Sequence, residues 1–561
     1  MKIALVTTPP SVRSGIGDYT HQLLPYLREQ AVVDQFVEPG REGAGWDGEP
    51  ARSALELVPR AYDRVLYQLG NEVSHGFMAR MVRAIGGTVA QHDWVLFDLA
   101  LSAYPGLVRG GVKGHLLALR EGGVDQARTY LGNWRDRRRA RRQPAPELDA
   151  RELPGTLVAG WHGAEPRGRW TADVAWLRLP VGARAVRSTC IVERGRALRI
   201  VEAAGRVVAA ADGAGARAVL EGEVREPLVA LRTSNVGVTA EQRAHGDTRR
   251  LAAFVESIEW SDGRAWHALD LRQSCFRPPE EIHLSRDRFA LPLNHSIVRF
   301  ADAFIVHSRY VATRIQTERN QLTPVGIVHH GAEERWRDED RGLTRARLGL
   351  SSAWQRGFLV VSFGGVQPHK RIDKLLEAFA KARASAPDLY LALVGGLSTG
   401  AYDPRAHAQL LGVADAVHFA GYVPEELGWD WLHAGDLSVN LRGPTTGGTS
   451  GGVFQSFSLG RAVLASDAAE QSELPDACTV KVPLGAGEVE AIARELVALR
   501  GDAPRRERLE AAVRGFVSTE CAWRQCARQY VELLERFPAA RASRKGLLDL
   551  KLGLSARRAA V

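Results

Sequence analysis

Short apolar runs, each followed by a glycine-bearing loop and then by apolar positions spaced three and four apart, open this chain. Residues 2–7 read as a buried strand and 9–17 as a loop, and Tyr19, Leu23, Leu24 and Leu27 fall on one face of a helix. Strand-like runs recur at 64–68 and 88–92. Strands alternating with helices predict a parallel α/β sheet. The texture changes near residue 132. An arginine-rich stretch leads into Gln143-Pro144-Ala145-Pro146, a linker composition. From about 152 to 266 the strand-like runs are short and closely spaced, at 174–179, 198–202, 206–211, 217–222, 228–233 and 254–260. Turn residues such as Ala211-Asp212-Gly213 separate them and helical periodicity is weak, which predicts a β-sandwich. The α/β alternation then resumes with a helix that closes at 297–301 and a strand at 303–307. A fresh Rossmann-like half starts near Gly357, with strands at 358–363, 389–394, 417–419, 437–441 and 462–465 and closing helices at 488–499, 503–517 and 520–536.

The 561 residues suit three or four domains at roughly 100–200 residues each. The reading gives a first Rossmann-like domain in two parts, 1–135 and 280–335, an inserted all-β domain at 150–266, a second Rossmann-like domain at 336–535 and a basic tail at 536–561. No apolar run reaches the about 18 residues of a membrane span, and the first strand is too short for a signal-peptide core, so a cytoplasmic protein is expected. Five cysteines without metal-ligand spacing suit reduced, buried thiols, with Cys521 and Cys526 packing on a helix. The net charge of +9 is concentrated in Arg135, Arg137, Arg138, Arg139, Arg141 and Arg142 and in a tail carrying Arg541, Arg544, Lys545, Lys551, Arg557 and Arg558. Such clusters either attract anionic lipid headgroups or form a solvated linker and tail. No nucleic-acid partner is expected.

Candidate chemistry sits at the ends of the expected strands, where open α/β sheets bind ligands. Ser14-Gly15-Ile16-Gly17 joins the first strand to its helix; glycines there admit a ligand to backbone N–H groups, or simply make a tight turn. Tyr67-Gln68-Leu69-Gly70-Asn71, with His75 beyond it, and Gln91-His92-Asp93 follow the next strands. His92 there either bonds a sugar hydroxyl or is structural. In the second half, Gly364-Gly365-Val366-Gln367-Pro368-His369-Lys370-Arg371 brings two cations to a helix start, suited to a diphosphate or to decorating a surface. Arg442-Gly443-Pro444-Thr445-Thr446-Gly447-Gly448-Thr449-Ser450-Gly451-Gly452 follows a strand and runs into a helix. Its consecutive N–H groups and hydroxyls suit an anion cradle, the alternative being a low-complexity loop.

Taken together, these segments resemble glycosyltransferase family 4, retaining enzymes of the GT-B type. The likeness is carried by Ser14-Gly15-Ile16-Gly17-Asp18-Tyr19, Tyr67-Gln68-Leu69-Gly70-Asn71, His92-Asp93, residues 291–310, His330-Gly331, and residues 358–380, 417–423 and 440–474. It implies two Rossmann-like domains facing a cleft, with a nucleotide-diphosphate sugar as donor substrate, no metal and no further cofactor. The donor site would comprise Gly364, Gly365, Lys370, Arg371, Arg442, Gly447, Gly448, Thr449, Ser450, Gly451 and Gln455, with Lys370 on the diphosphate. Ser14, Gly15, Ile16, Gly17 and Asn71 would form the acceptor or phosphate loop. His92 looks like the family's histidine at the donor sugar. The acceptor would be a glycan or lipid-linked glycan, reached by a protein that is cytoplasmic or held at the inner face of the membrane by its basic clusters.

The chain departs from the family where catalysis concentrates. The family's paired glutamates fall at Gly447 and Gln455, the nearest relatives of this loop carrying theirs where Gly448 stands, and the arginine that accompanies Lys370 falls at Gly365. Arg371 or Arg442 would then supply that charge. A transferase and a catalytically degenerate sugar-binding or scaffolding protein both remain open. The inserted module resembles a carbohydrate-binding-like β-sandwich through Gly160-Trp161-His162, Arg169-Trp170-Thr171, Ser234-Asn235 and Gly246-Asp247-Thr248-Arg249. Trp161, Trp170 and Trp176 are candidates for stacking on sugar rings, with alternation favouring core for Trp176.

Overall fold

The structure is a computed structural model and describes residues 1–12, 14–140, 157–165, 167–213, 217–234, 236, 251–272, 275–277, 288–319, 322–396 and 404–540. The chain divides into two compact units, one holding Met1–Leu131 and the described residues from Arg288 onward, the other the described residues of Gly132–Asp287.

The first unit contains two α/β lobes. The first lobe's sheet runs in the order Val325–Ile327, Ala303–Val306, Thr88–Gln91, Arg64–Leu69, Lys2–Val6, Val32–Val37, Pro50–Ser53, Gly43–Ala44, parallel throughout except for the last pair. The second lobe's sheet is wholly parallel, in the order Val417–Gly421, Leu389–Val394, Phe358–Phe363, Leu437–Asn440, Val463–Ser466, Thr479–Val482. Parallel strands covered on both faces need near-continuous apolar runs, and Ile3, Ala4, Leu5 and Val6 are all buried. Val32–Val37 was not anticipated because Asp34 and Gln35 interrupt its run. Both are satisfied locally: Asp34 Oδ2 accepts the Tyr62 hydroxyl at 2.6 Å, and the Gln35 amide exchanges two 3.0 Å bonds with the backbone of Trp46.

The helix Gly15–Arg28 starts earlier than its apolar face, because Ser14 caps it by accepting the Gly17 N–H at 2.9 Å. The last helix, Trp523–Arg536, packs on the first lobe. Trp523, Cys526, Tyr530 and Leu534 are buried among Ile3, Leu5, Tyr19 and Leu23, and the hydroxyls of Tyr19 and Tyr530 meet at 3.1 Å.

Beyond the end of the helix Gly111–Ala140, the described residues of the second unit form β-strands and their turns, but not the expected pair of stacked sheets. Among the described residues ten strands form one hydrogen-bonded sheet, whose main path runs Val207–Asp212, Ala197–Glu202, Leu228–Thr233, Gly168–Arg178, Ala253–Ser261, Ala185–Val192, Arg217–Glu223. The two ends of that path meet: a Cβ on Gly222 would stand 2.4 Å from the Val208 carbonyl oxygen. Breaks in register beside Val255 and along Leu157–Glu165 bend the strands and let the sheet curl. Trp161 has no exposed surface and donates its indole N–H to the Trp176 carbonyl at 2.7 Å, so the expectation that it stacks on a sugar is wrong. Trp176 is buried too, as alternation predicts, and Trp170 is partly exposed with its ring against Phe254. Asn235, the 246–249 segment, the 143–146 linker and the basic tail beyond 540 lie outside the described residues, as do the side chains of the arginine run beyond Arg135. Cys190, Cys478, Cys521 and Cys526 are buried and free.

Candidate functional site

The second lobe brings two cations together at its strand ends. After Phe358–Phe363 the chain turns at Gly364, φ +112°, and the Lys370 ammonium lies so close that a Cβ on Gly364 would be 3.0 Å from it. Arg442 follows Leu437–Asn440 and is fixed through its backbone N–H, which donates to Ser466 Oγ at 2.9 Å. Gly443 N–H donates to the His369 carbonyl at 2.9 Å and ties the two loops together. Among the described residues neither the Lys370 ammonium nor the Arg442 guanidinium has an ion-pair partner, and Arg442 Nε is buried without a hydrogen bond. Burial, then the Arg442 charge, push the Lys370 ammonium down to about 7. Arg371 behaves differently. It opens the helix Ile372–Ser385 from a left-handed conformation and pairs through two nitrogens with the buried carboxylate of Glu488. Of the two arginines expected to replace the one absent at Gly365, Arg442 is the one without an ion-pair partner among the described residues.

The glycine loop closes the same corner. Ser450 begins the helix Gly451–Ser458, and its hydroxyl is buried without a partner among the described residues. A Cβ on Gly452 would be 3.0 Å from the Phe363 carbonyl oxygen, which places this helix start beside the Lys370 turn. Thr449 and Gln455 are partly buried on the same segment. Gly447 and Gly448 have no room for side chains. Gly447 has φ +80°, and a Cβ there would be 2.8 Å from Trp94 Cβ; one on Gly448 would be 2.1 Å from Asp93 Oδ1. The first lobe therefore fills the place where the resemblance expects a glutamate. It also binds this loop: the Thr446 carbonyl accepts the N–H groups of Trp94 and Val95 at 2.9 and 2.8 Å, and the Thr446 hydroxyl donates to Asp93 at 2.6 Å.

On the first lobe, a Cβ on Gly15 would meet nothing within 4 Å, whereas Gly17 is packed against Thr8 and Trp46, and Ile16 against Gly70. Asn71 donates its N–H to Asp93 at 2.8 Å, and its side chain exchanges hydrogen bonds with Asp98. His92 lies at the end of Thr88–Gln91 and is 8% exposed. Both its ring nitrogens are engaged inside the lobe, Nε2 with Gln68 at 2.7 Å and Nδ1 with His307 at 3.2 Å. His307 and His330 complete a cluster around the Tyr19 ring. Burial drives His92 well below its usual value, His307 to about 4 and His330 to about 3, so all three are neutral at pH 7. Among the described residues no group of three or more histidines, cysteines or carboxylates is placed to hold a metal ion.

Sequence reasoning missed the role of Thr446 in holding the loop, and it missed Glu470. Glu470 lies on the turn Ala469–Glu473, is 5% exposed, and accepts the Thr445 hydroxyl at 2.7 Å. The signal available was a carboxylate just past the strand Val463–Ser466, at the same sheet edge as Lys370 and Arg442.

Residues 357–502 match the family described as glycosyl transferases group 1. No curated protein matches the chain. Among solved structures, the chain is similar to the Anabaena protein HepE in complex with UDP and glucose, at 20% identity over 45% of this chain and 68% of that one, with a TM-score of 0.39. It is similar to WaaG, a glycosyltransferase involved in lipopolysaccharide biosynthesis, at 18% identity over 41% and 62%, TM-score 0.35. It is also similar to sucrose-phosphate synthase from Thermosynechococcus elongatus, at 20% identity over 46% and 63%, TM-score 0.38. The last two matches span less than two thirds of those chains, and at such scores none of the three carries an argument about this one.

Proposed function

We propose that the chain is a metal-independent glycosyltransferase that moves a sugar from a nucleotide-diphosphate donor to a glycan or lipid-linked glycan, with retention. The observation that supports this most is the pair Lys370 and Arg442, two partly buried cations without an ion-pair partner among the described residues, beside a helix N-terminus whose N-cap serine hydroxyl is unpartnered. Holding two positive charges together out of water is unfavourable unless an anion joins them. A diphosphate does so with its own charge, and the start of Gly451–Ser458 adds N–H donors. As the sugar–phosphate bond breaks, negative charge grows on the departing diphosphate, and preorganised cations stabilise it most at that moment. The acceptor hydroxyl attacks the anomeric carbon on the face the phosphate leaves, and the departing phosphate oxygen takes its proton. Gly15, with open space beside it, is on this reading the point where the first lobe admits the acceptor. His92, with both nitrogens occupied, acts by holding the strand end that carries Asp93.

Calorimetric titration with UDP, GDP and ADP, followed by assay of the corresponding sugar nucleotides for transfer or hydrolysis, tests the proposal. Binding of one diphosphate together with turnover of its sugar conjugate is expected. No binding of any of the three would overturn it. A second reading, a sugar-nucleotide binder that has lost catalysis, is favoured by the lack of space for a carboxylate at Gly447 and Gly448; it predicts binding without turnover. We assign the protein to the cytoplasmic face of an anionic membrane. That placement is supported by exposed Val112, Leu116 and Leu119, a stripe on one face of the helix Gly111–Ala140, which also carries exposed Lys113 and Arg120.

A further inference from the structure

We infer that Glu470 reads the transferred sugar, its free carboxylate oxygen accepting a hydrogen bond from a hydroxyl of the sugar carried on the diphosphate. This rests on the donor site proposed above.

Oε1 of Glu470 is occupied by the Thr445 hydroxyl at 2.7 Å, while Oε2 is buried and has no hydrogen-bond partner among the described residues. A buried carboxylate oxygen left unpaired is costly, and burial raises the Glu470 pKa accordingly. The turn that carries Glu470 is held from several sides, so the side chain cannot easily swing away to water. Ala469 sits in a left-handed conformation, φ +50°. The Gln471 amide donates to Asn440 O and Oδ1 at 3.1 and 3.0 Å, and Glu473 accepts the Arg309 and Tyr310 N–H groups, both at 2.6 Å. The Arg442 charge partly offsets the effect of burial on Glu470, yet the two form no ion pair. Arg442 therefore remains available to the diphosphate while Glu470 keeps an open acceptor alongside.

The geometry sets the chemical class of the partner. An ionised carboxylate only accepts, so its partner must be an O–H or N–H donor. The group covalently next to a diphosphate held by Lys370 and Arg442 is the sugar, whose outward chemistry is hydroxyl. Glycine at 447 and 448 removes any competing side chain from that side of the loop, and Asp93 has both oxygens committed, to Asn71 and Thr446. A site built to bond a hydroxyl discriminates strongly against a donor that lacks it, because the buried acceptor is then left unpaired.

The test compares wild type with Glu470→Gln in the full chain. Calorimetry measures UDP, GDP and ADP against UDP-glucose, UDP-galactose, UDP-N-acetylglucosamine, GDP-mannose and ADP-glucose. Expected is diphosphate affinity that is undiminished or higher, since a negative charge beside Arg442 is removed, with binding of the sugar conjugate about tenfold weaker relative to that of the diphosphate. With mono-deoxy analogues of that sugar, one analogue should bind wild type and variant alike, identifying the hydroxyl. Equal weakening of diphosphate and conjugate would overturn the inference, since Glu470 would then act only through Arg442; so would a conjugate not weakened relative to the diphosphate. Failure of wild type to bind any diphosphate removes the donor site and this inference with it. If Glu470→Gln does not fold, Glu470→Asp retains the charge beside Arg442, withdraws the acceptor by one methylene and should show the same split.

Discussion

Burial, and then repulsion from the Arg442 guanidinium beside it, disfavour a charged Lys370, which gives way first because an arginine holds its proton more tightly. Its pKa, about 7 against an ordinary 10.5, lies below the unfolded value. The linked cost to folding is therefore complete below about pH 7 and is relieved as pH rises toward 10.5. Diphosphate binding requires the charged form and must restore the proton, so binding takes up a proton above pH 7. Expected is a dissociation constant for the bound nucleoside diphosphate that rises by up to about tenfold per pH unit between 7.5 and 9, with proton uptake visible as buffer-dependent heat. Lys370→Arg should flatten that slope, and a slope unchanged in the variant would refute the assignment. Lys370 and Arg442 were legible because each follows a recognisable strand. The commitment of Arg371 was not, since its partner Glu488 lies 117 residues away. Glu470 was illegible for a related reason: its importance comes from an unpaired oxygen, which only the packed turn reveals.

Periodic elements were readable in proportion to how undiluted their apolar runs are. Leu389–Val394 and Phe358–Phe363 stand out. Ala185–Val192 does not, because Arg187 alternates outward to pair with Glu221 and Glu259, leaving too few apolar positions to mark a strand. The closing helix was visible as Trp523, Tyr530 and Leu534 at helical spacing, but not that these side chains pack on the first lobe. Its fit there is tight: a Cβ on Gly331 would be 2.2 Å from the Trp523 ring, and Leu534 has no exposed surface. Leu534→Ala is expected to cost about 2–5 kcal/mol, read as an earlier urea transition of the unit that holds both lobes. A cost below about 1 kcal/mol would mean that the helix docks weakly. Gly331→Ala should lower the same transition by overpacking.

At the scale of the whole chain, pattern alone separated α/β from all-β sequence but misjudged how the all-β sheet closes, because the register breaks that curl it leave no mark on alternation. It left open whether the arginine runs meet anionic lipid or are a solvated linker and tail, and the described residues add exposed apolar positions. Val112 is 80% exposed, Leu116 58% and Leu119 41%, at helical spacing on one face. No helix among the described residues is long and apolar enough to cross a membrane. An exposed apolar stripe of this kind is what the membrane contact proposed above would use. Binding that depends on both terms should need anionic lipid and the apolar stripe together, since neither a few basic residues nor a short apolar face suffices alone. Co-sedimentation with vesicles of phosphatidylglycerol and phosphatidylcholine is therefore expected to rise with the anionic fraction. The double variant Val112→Asp, Leu116→Asp should abolish it while leaving diphosphate affinity unchanged. Sedimentation by the variant equal to wild type would place any contact in the basic segments alone, and sedimentation indifferent to anionic lipid would remove the electrostatic term.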